Sequence, residues 1–204
     1  MCPFPLNILM NTWYKLNINF NDIVKPEWKF PKPNKFMLTT FVVQADSIFK
    51  NEWLEDFRNR GFHLHVVRLF HRQPNYNESM AHVDHYFDDN DCLTLPTFGI
   101  NFVLGGRDSE MVWYELPEYL KPAKDCKFNS DESEKFVTDW SLTKLGPEVN
   151  RCNIDSQGTL VNISIPHHIK MSEEPRWCIS MRPWNLDLSW DEIVTKMKEN
   201  NFLC

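Results

Sequence analysis

Glycine is scarce, six in 204 residues, and no Gly-rich run suited to cradling a phosphate occurs. Cations are outnumbered: 22 Lys and Arg against 28 Asp and Glu leave a net charge of −6. That balance speaks against a nucleic-acid groove, which needs clustered positive charge. No stretch approaches the roughly 18 apolar residues of a membrane span, so no membrane partner is expected. The opening residues lack the basic and apolar blocks of a secretory leader. None of the six cysteines forms a CxxC pair, and they read as reduced thiols of a cytoplasmic protein. The sequons at Asn77 and Asn162 are then chance. Repeats and low-complexity segments are absent, and no motif sets an oligomeric state.

What is present is ordinary in bulk and unusual in detail. Hydrophobic residues make up 42% and charged residues 25%, the balance of a globular chain and not of a disordered, collagenous or coiled-coil one. The length predicts a single domain over 1–204, large enough to bury a core. Aromatics reach 14%, with 15 Phe, 8 Trp and 5 Tyr.

Residues 1–35, with five prolines, read as an irregular lead-in that wraps the core. The β-branched run at 37–45 predicts a strand. A helix is expected from Asp46 and Ser47 to about Arg60, with Ile48, Phe49, Trp53, Leu54 and Phe57 as its apolar stripe and Gly61 as its stop. Strands are expected at 62–71, 78–87, 93–104, 111–116, 158–168 and 176–183. Gly105-Gly106-Arg107-Asp108 reads as a hairpin turn. The polar stretch 121–157 predicts loops and one short helix at 132–140. Ser189 and Glu192 form a capping box that opens a terminal helix over about 189–202. Many short strands separated by turns predict a mainly β sandwich or small barrel with helices on one outer face.

Two stretches carry candidate chemistry. In His82-Val83-Asp84, strand period 2 puts a nitrogen ligand and a carboxylate side by side. A second histidine from a distant strand, such as His167, would complete a facial triad with three open positions, suited to non-haem Fe(II) and O2. In Arg176-Trp-Cys-Ile-Ser-Met-Arg182, the same period puts Arg176, Cys178, Ser180 and Arg182 on one face. Two guanidinium groups and a serine on a core strand call for an anion, and an arginine fork matches a carboxylate.

His82-x-Asp84 … His167 … Arg176 resembles the 2-oxoglutarate/Fe(II)-dependent oxygenases. The segment 161–182, VNISIPHHIKMSEEPRWCISMR, is similar to the aspartyl/asparaginyl β-hydroxylase-like branch and to related phage and marine-microbe proteins. The stretch 81–116 fits the proximal half, so the likeness spans about 60–183. It implies a double-stranded β-helix, a jelly-roll or cupin-like fold, with flanking helices. It also implies Fe(II) and 2-oxoglutarate as cofactors, O2, and hydroxylation of a small-molecule or peptide substrate with release of CO2 and succinate. Residue by residue, it implies His82, Asp84 and His167 as metal ligands and catalytic centre. Arg176 is the implied cosubstrate clamp, with Arg182 its rival, and Asn101 and Ser180 are implied lesser partners of the cosubstrate.

Two departures stand out. That branch lacks the carboxylate ligand that Asp84 would supply, and its Arg-x-Ser pairing would put serine where Cys178 stands. A binding module that keeps the pocket without oxidation is the alternative. His168, pointing opposite to His167, is expected to face solvent or support the site from behind. His63 and His65 lack a following carboxylate and read as half-buried strand residues, while His71 and His85 read as surface or packing residues. The aromatic excess is expected to wall the β-core around the iron, with Trp113 and Tyr114 as candidate wall residues. The Asp88–Asp91 run reads as a solvated loop beside the site.

Overall fold

The computed structural model describes residues 11–74, 76, 80–84, 86–87, 93–117, 139–183 and 186–204. In chain order the elements are β1 (Trp13–Asn19), α1 (Phe20–Ile23), β2 (Leu38–Gln44), α2 (Ala45–Ile48), α3 (Asn51–Asn59), β3 (Val66–Arg72), β4 (Met80–His82), β5 (Tyr86–Phe87), β6 (Leu93–Thr94), β7 (Phe98–Gly105), β8 (Glu110–Tyr114), β9 (Asp139–Ser141), a 3-10 turn (Leu142–Lys144), β10 (Glu148–Asn153), β11 (Gln157–Asn162), β12 (His167–Lys170), β13 (Arg176–Met181) and α4 (Trp190–Glu199).

The fold is mainly β and jelly-roll-like, with two antiparallel sheets. One has six strands in the order β1-β11-β7-β13-β3-β2, and the other five in the order β10-β8-β12-β4-β9. β5 and β6 form a separate pair. From β3 onward the chain passes repeatedly between the sheets: β3, β7, β11 and β13 lie in the first, and β4, β8, β10 and β12 in the second.

β7, inside the six-stranded sheet, is buried on both faces, which is why 98–104 is almost continuously apolar rather than alternating. Phe98, Ile100 and Phe102 of β7, Val67 and Leu69 of β3, and Ile179 and Met181 of β13 pack under the helices. Val103, Val161 and Cys178 face Met111, Trp113, Cys152 and Ile169 of the second sheet. The period-2 reading of β13 therefore holds. Trp113 is fully buried between the sheets, where its Nε1 donates to the Asn162 carbonyl at 2.7 Å, and like Tyr114 it does not line the cavity described below.

Among the described residues, most of the aromatics pack in the helix-side core. Trp53, Phe57 and Phe62 stack in series at 4.9 Å, and Phe202 closes on the last two. The expectation of an aromatic wall around the metal is thus corrected. Removing the Phe57 side chain empties the centre of that stack, and we expect Phe57→Ala to lower unfolding stability by about 3–5 kcal/mol in denaturant titrations. Metal content should not change, because Phe57 sits across the sheet from the site.

Several expected boundaries shift. The lead-in is not irregular throughout, because β1 lies within it and pairs with β11, whereas the strand expected at 37–45 is present as β2, the edge beside β3. The helix expected over 46–60 is two helices. Phe49 between them is extended, fully buried and bridged to Val24, with Lys50 N–H donating to the Ile23 carbonyl at 2.9 Å. Gly61 does end the second helix. Its φ is +84°, Gly61 N–H reaches the Arg58 carbonyl and Phe62 N–H the Phe57 carbonyl, a Schellman cap. The capping box of α4 is present as expected.

The turn at 105–108 does not join a hairpin, because β7 and β8 lie in different sheets. The expected strand 158–168 breaks after Asn162. The Asn162 side chain accepts from Ser164 N–H, Pro166 has no N–H to give, and the chain crosses to the second sheet before His167. His167 consequently starts a strand rather than ending one. β10 lies where loops were expected, and Asp139–Trp140 belong to β9 rather than to a helix. The rest of the helix expected at 132–140, the Asp88–Asp91 run, His85 and Asn77 lie outside the described residues. Asn162 is buried, as a chance sequon should be.

Candidate metal centre

His82 closes β4 and His167 opens β12, and the two are direct cross-strand partners. Their rings lie 4.6 Å apart between centroids. Asp84 follows two residues past His82, beyond the end of β4, anchored by its N–H to the Ile163 carbonyl at 3.1 Å. Asp84 Oδ1 is 3.5 Å from His82 Nε2 and 3.9 Å from His167 Nε2. One donor atom from each of the three residues lies within 4.8 Å of the others. Side chains 83–85 positions apart in sequence are thus brought together by strand pairing.

The surroundings bias each donor toward metal binding. His167 Nδ1 lies 2.9 Å from the Ile165 carbonyl, which only accepts, so the proton sits on Nδ1 and the Nε2 lone pair faces Asp84. Burial, and then the neighbouring His82, pushes the His167 pKa down to about 4, so the ring is neutral near pH 7. Burial alone would raise the Asp84 pKa. Arg182, then His82 and His167, outweigh it and hold the carboxyl well below the usual carboxylate range. Arg182 Nη2 takes Asp84 Oδ2, leaving Oδ1 on the histidine side. Gly99 makes room for this pairing, because a Cβ there would strike the Arg182 guanidinium.

The low His167 pKa makes metal-free stability depend on pH. An unfolded histidine binds a proton below about 6.5, whereas the folded ring resists until about pH 4, so stability falls as pH drops between those values. Asp84 acts below this window, since its stabilisation is lost only as pH falls beneath the ordinary carboxylate range. His71, also depressed by burial, acts in the same direction as His167. We expect His167 to contribute a loss of about 2 kcal/mol between pH 7 and pH 5, read from urea unfolding, and His167→Gln to flatten that slope.

The three donors face a cavity between the sheets, lined also by Arg68, Phe70 and Arg72 of β3, Asn101 of β7, Asp139 of β9, and Arg176, Cys178, Ser180 and Arg182 on or just beyond β13. All the sequence-predicted site residues therefore meet in one place. Arg176 is buried, its Nη1 donates to Ser109 Oγ at 3.2 Å, and its Nε has no partner. Gly105 and Gly106, at φ +76° and +58°, permit that approach: a Cβ on Gly106 would fall 2.7 Å from Arg176 Cβ. Ser180 Oγ donates to Asn101 Oδ1 at 2.6 Å, and these two are cross-strand partners. Arg182, the rival clamp, pairs with Asp84 through Nη2, while its buried Nη1 has no hydrogen-bond partner.

No protein-family model matches the chain, and no curated protein matches it. Solved structures do. HygX from Streptomyces hygroscopicus, solved with nickel and 2-oxoglutarate bound, is similar at 10% identity with a TM-score of 0.32, covering 76% of this chain and 73% of that one. Its iron-bound structure is similar at 9% identity and 0.27, covering 74% and 84%. E. coli ycfD is similar at 12% identity and 0.31, covering 92% of this chain and 45% of that one.

Sequence reasoning missed Ser109, Gly99, Arg68 and Arg72. The last two were legible in part. Val67 and Leu69 alternate with Arg68 and Arg72, which puts both arginines on the face opposite the helices, but only the second sheet makes that face a cavity. His168 is buried against Tyr114 at 5.5 Å between rings, not solvent-facing. His71 packs on Trp177 as expected, and His63 and His65 precede β3 away from the cluster. Among the described residues Cys152, Cys178 and Cys204 are free thiols, and burial pushes the Cys152 thiol up to about 12.

Proposed function

We propose that this chain is a non-haem Fe(II), 2-oxoglutarate-dependent oxygenase built on a double-stranded β-helix. The observation that carries the reading is a single cavity with His82, Asp84 and His167 at one end and a buried arginine, Arg176, with an unpartnered Nε at the other. Two imidazole nitrogens and one carboxylate oxygen on one wall suit Fe(II) with positions open toward the cavity. The division of β3, β7, β11 and β13 into one sheet and β4, β8, β10 and β12 into the other supports the β-helix reading.

The donor set fits the metal because both histidines offer Nε2 toward one oxygen of Asp84. Iron with 2-oxoglutarate and O2 would supply the oxidising power to hydroxylate a C–H bond of a small-molecule or peptide substrate. The chain's own residues do the rest. Arg182 holds Asp84 Oδ2 so that only Oδ1 is presented. The Ile165 carbonyl fixes the His167 tautomer. Arg176, steadied by Ser109, binds the distal carboxylate of the cosubstrate and sets its orientation. Asn101 and Ser180, bonded to each other, complete the wall between the two ends. The sheets on either side exclude bulk water.

Anaerobic addition of Fe(II) and 2-oxoglutarate tests the reading. The expected result is a weak visible charge-transfer band from the chelate. An iron-loaded protein that shows no such band at saturating 2-oxoglutarate rules the reading out.

A further inference from the structure

The geometry points to a second oxyanion site in the same cavity: Arg68 binds a carboxylate or phosphate of the substrate, so the substrate is an anion. This rests on the cavity being the metal and cosubstrate site described above.

On β3, Val67 and Leu69 enter the helix-side core, while Arg68, Phe70 and Arg72 line the cavity. Cross-strand pairing sets Arg72 opposite Arg176 and Arg68 opposite Ser180. Arg68 therefore lies two positions, roughly 7 Å of strand, from Arg182 and on the metal side of the clamp. Each of the other three guanidinium groups has at least one partner, although Arg176 Nε and Arg182 Nη1 make no hydrogen bond. Arg176 donates to Ser109, Arg182 pairs with Asp84, and Arg72 lies 5.8 Å over the Tyr76 ring. The Arg68 guanidinium has no ion pair or hydrogen bond among the described residues.

The charge count leads to the same place. The described lining holds four guanidinium groups against two carboxylates, Asp84 and Asp139. A divalent metal and a dianionic cosubstrate cancel each other, so the positive excess persists when both are bound. In a partly desolvated cavity such an excess attracts an oxyanion, and an arginine fork matches carboxylate or phosphate in shape. Placed between the clamp and the metal, Arg68 orients the substrate next to the reactive centre and selects acids over neutral analogues.

The test uses the Fe(II)-loaded, 2-oxoglutarate-saturated protein, kept anaerobic, with ligand-observed NMR titration at constant ionic strength. Acetate and inorganic phosphate are the probes, and acetamide is the neutral control. At least one oxyanion should bind better than acetamide, and Arg68→Met should weaken that binding tenfold or more while the chelate band still forms. Preference for acetate assigns a carboxylate substrate, and preference for phosphate assigns a phosphorylated one. Arg68→Lys keeps the charge without the fork and should fall between; it also serves should the methionine variant fail to fold. Three results overturn the proposal: neither oxyanion outcompetes acetamide, Arg68→Met binds like the wild type, or Arg68→Met loses the chelate band, which would make Arg68 part of the cosubstrate site. A wild type that lacks the band yet shows Arg68-dependent oxyanion binding in the metal-free form rejects the oxygenase reading and keeps the anion site.

Discussion

Asp84→Ala is expected to lower Fe(II) affinity by more than about 100-fold, and His82→Ala combined with Asp84→Ala to leave the purified protein without stoichiometric iron. Loss of a group that merely supports a ligand weakens metal sites by about 10–100-fold, so loss of the ligand itself exceeds that. Asp84 also carries the only negative charge among the three donors, and its removal leaves Arg182 without its partner beside the site. Fe(II) titration and metal analysis of folded protein read the outcome. Unchanged metal content in the double variant would sink the assignment of the centre and leave a jelly-roll pocket without oxidative chemistry. Proton competition should be weak near neutral pH, because the His167 ring is already neutral there and Asp84 already ionised.

Arg176→Met is expected to weaken 2-oxoglutarate binding by about one to two orders of magnitude while iron remains bound. A charge-assisted hydrogen bond to a carboxylate, made in a buried site, is worth about 1.5–3 kcal/mol, or roughly 10–150-fold in affinity, and a bidentate contact reaches the upper end. Arg176→Lys restores a point charge without the fork and recovers only part of the loss. The chelate band, titrated with 2-oxoglutarate in each variant, separates the two ends of the cavity: Asp84 variants lose the metal, Arg176 variants lose the cosubstrate. Equal cosubstrate affinity in Arg176→Met and wild type would move the clamp elsewhere, with Arg72, its cross-strand neighbour, next in line.

The candidate site was more legible than the fold around it, for physical reasons. Side chains two apart on an extended chain share a face whatever the chain pairs with, so His82 with Asp84, and Arg176 with Ser180 and Arg182, could be grouped from spacing alone. Polar groups on apolar strands also stand out because burying them unpaired is unfavourable. Strand limits were less legible. The break at 163–166 depends on an Asn162 side chain turning back to Ser164 and on the chain changing sheets. The extended Phe49 depends on backbone bonds of its neighbours Lys50 and Ile48 to Ile23 and Lys25, distant in sequence. β1 and β10 were missed because prolines and polar residues around them mask strands whose partners, β11 and β8, alone make them strands.

The sequence by itself determined which residues are chemically able to hold a metal and an anion, which face of β13 they occupy, and where α3 stops and α4 starts. These follow from local geometry, period 2, capping and the positive φ of glycine. Only the tertiary structure decided that His82 and His167 are cross-strand partners, that Arg182 belongs to Asp84 while Arg176 keeps a free Nε, and that Arg68 turns into the same cavity. Each depends on antiparallel register between segments far apart in the chain, and register is set by the packing of two sheets rather than by any local run of residues.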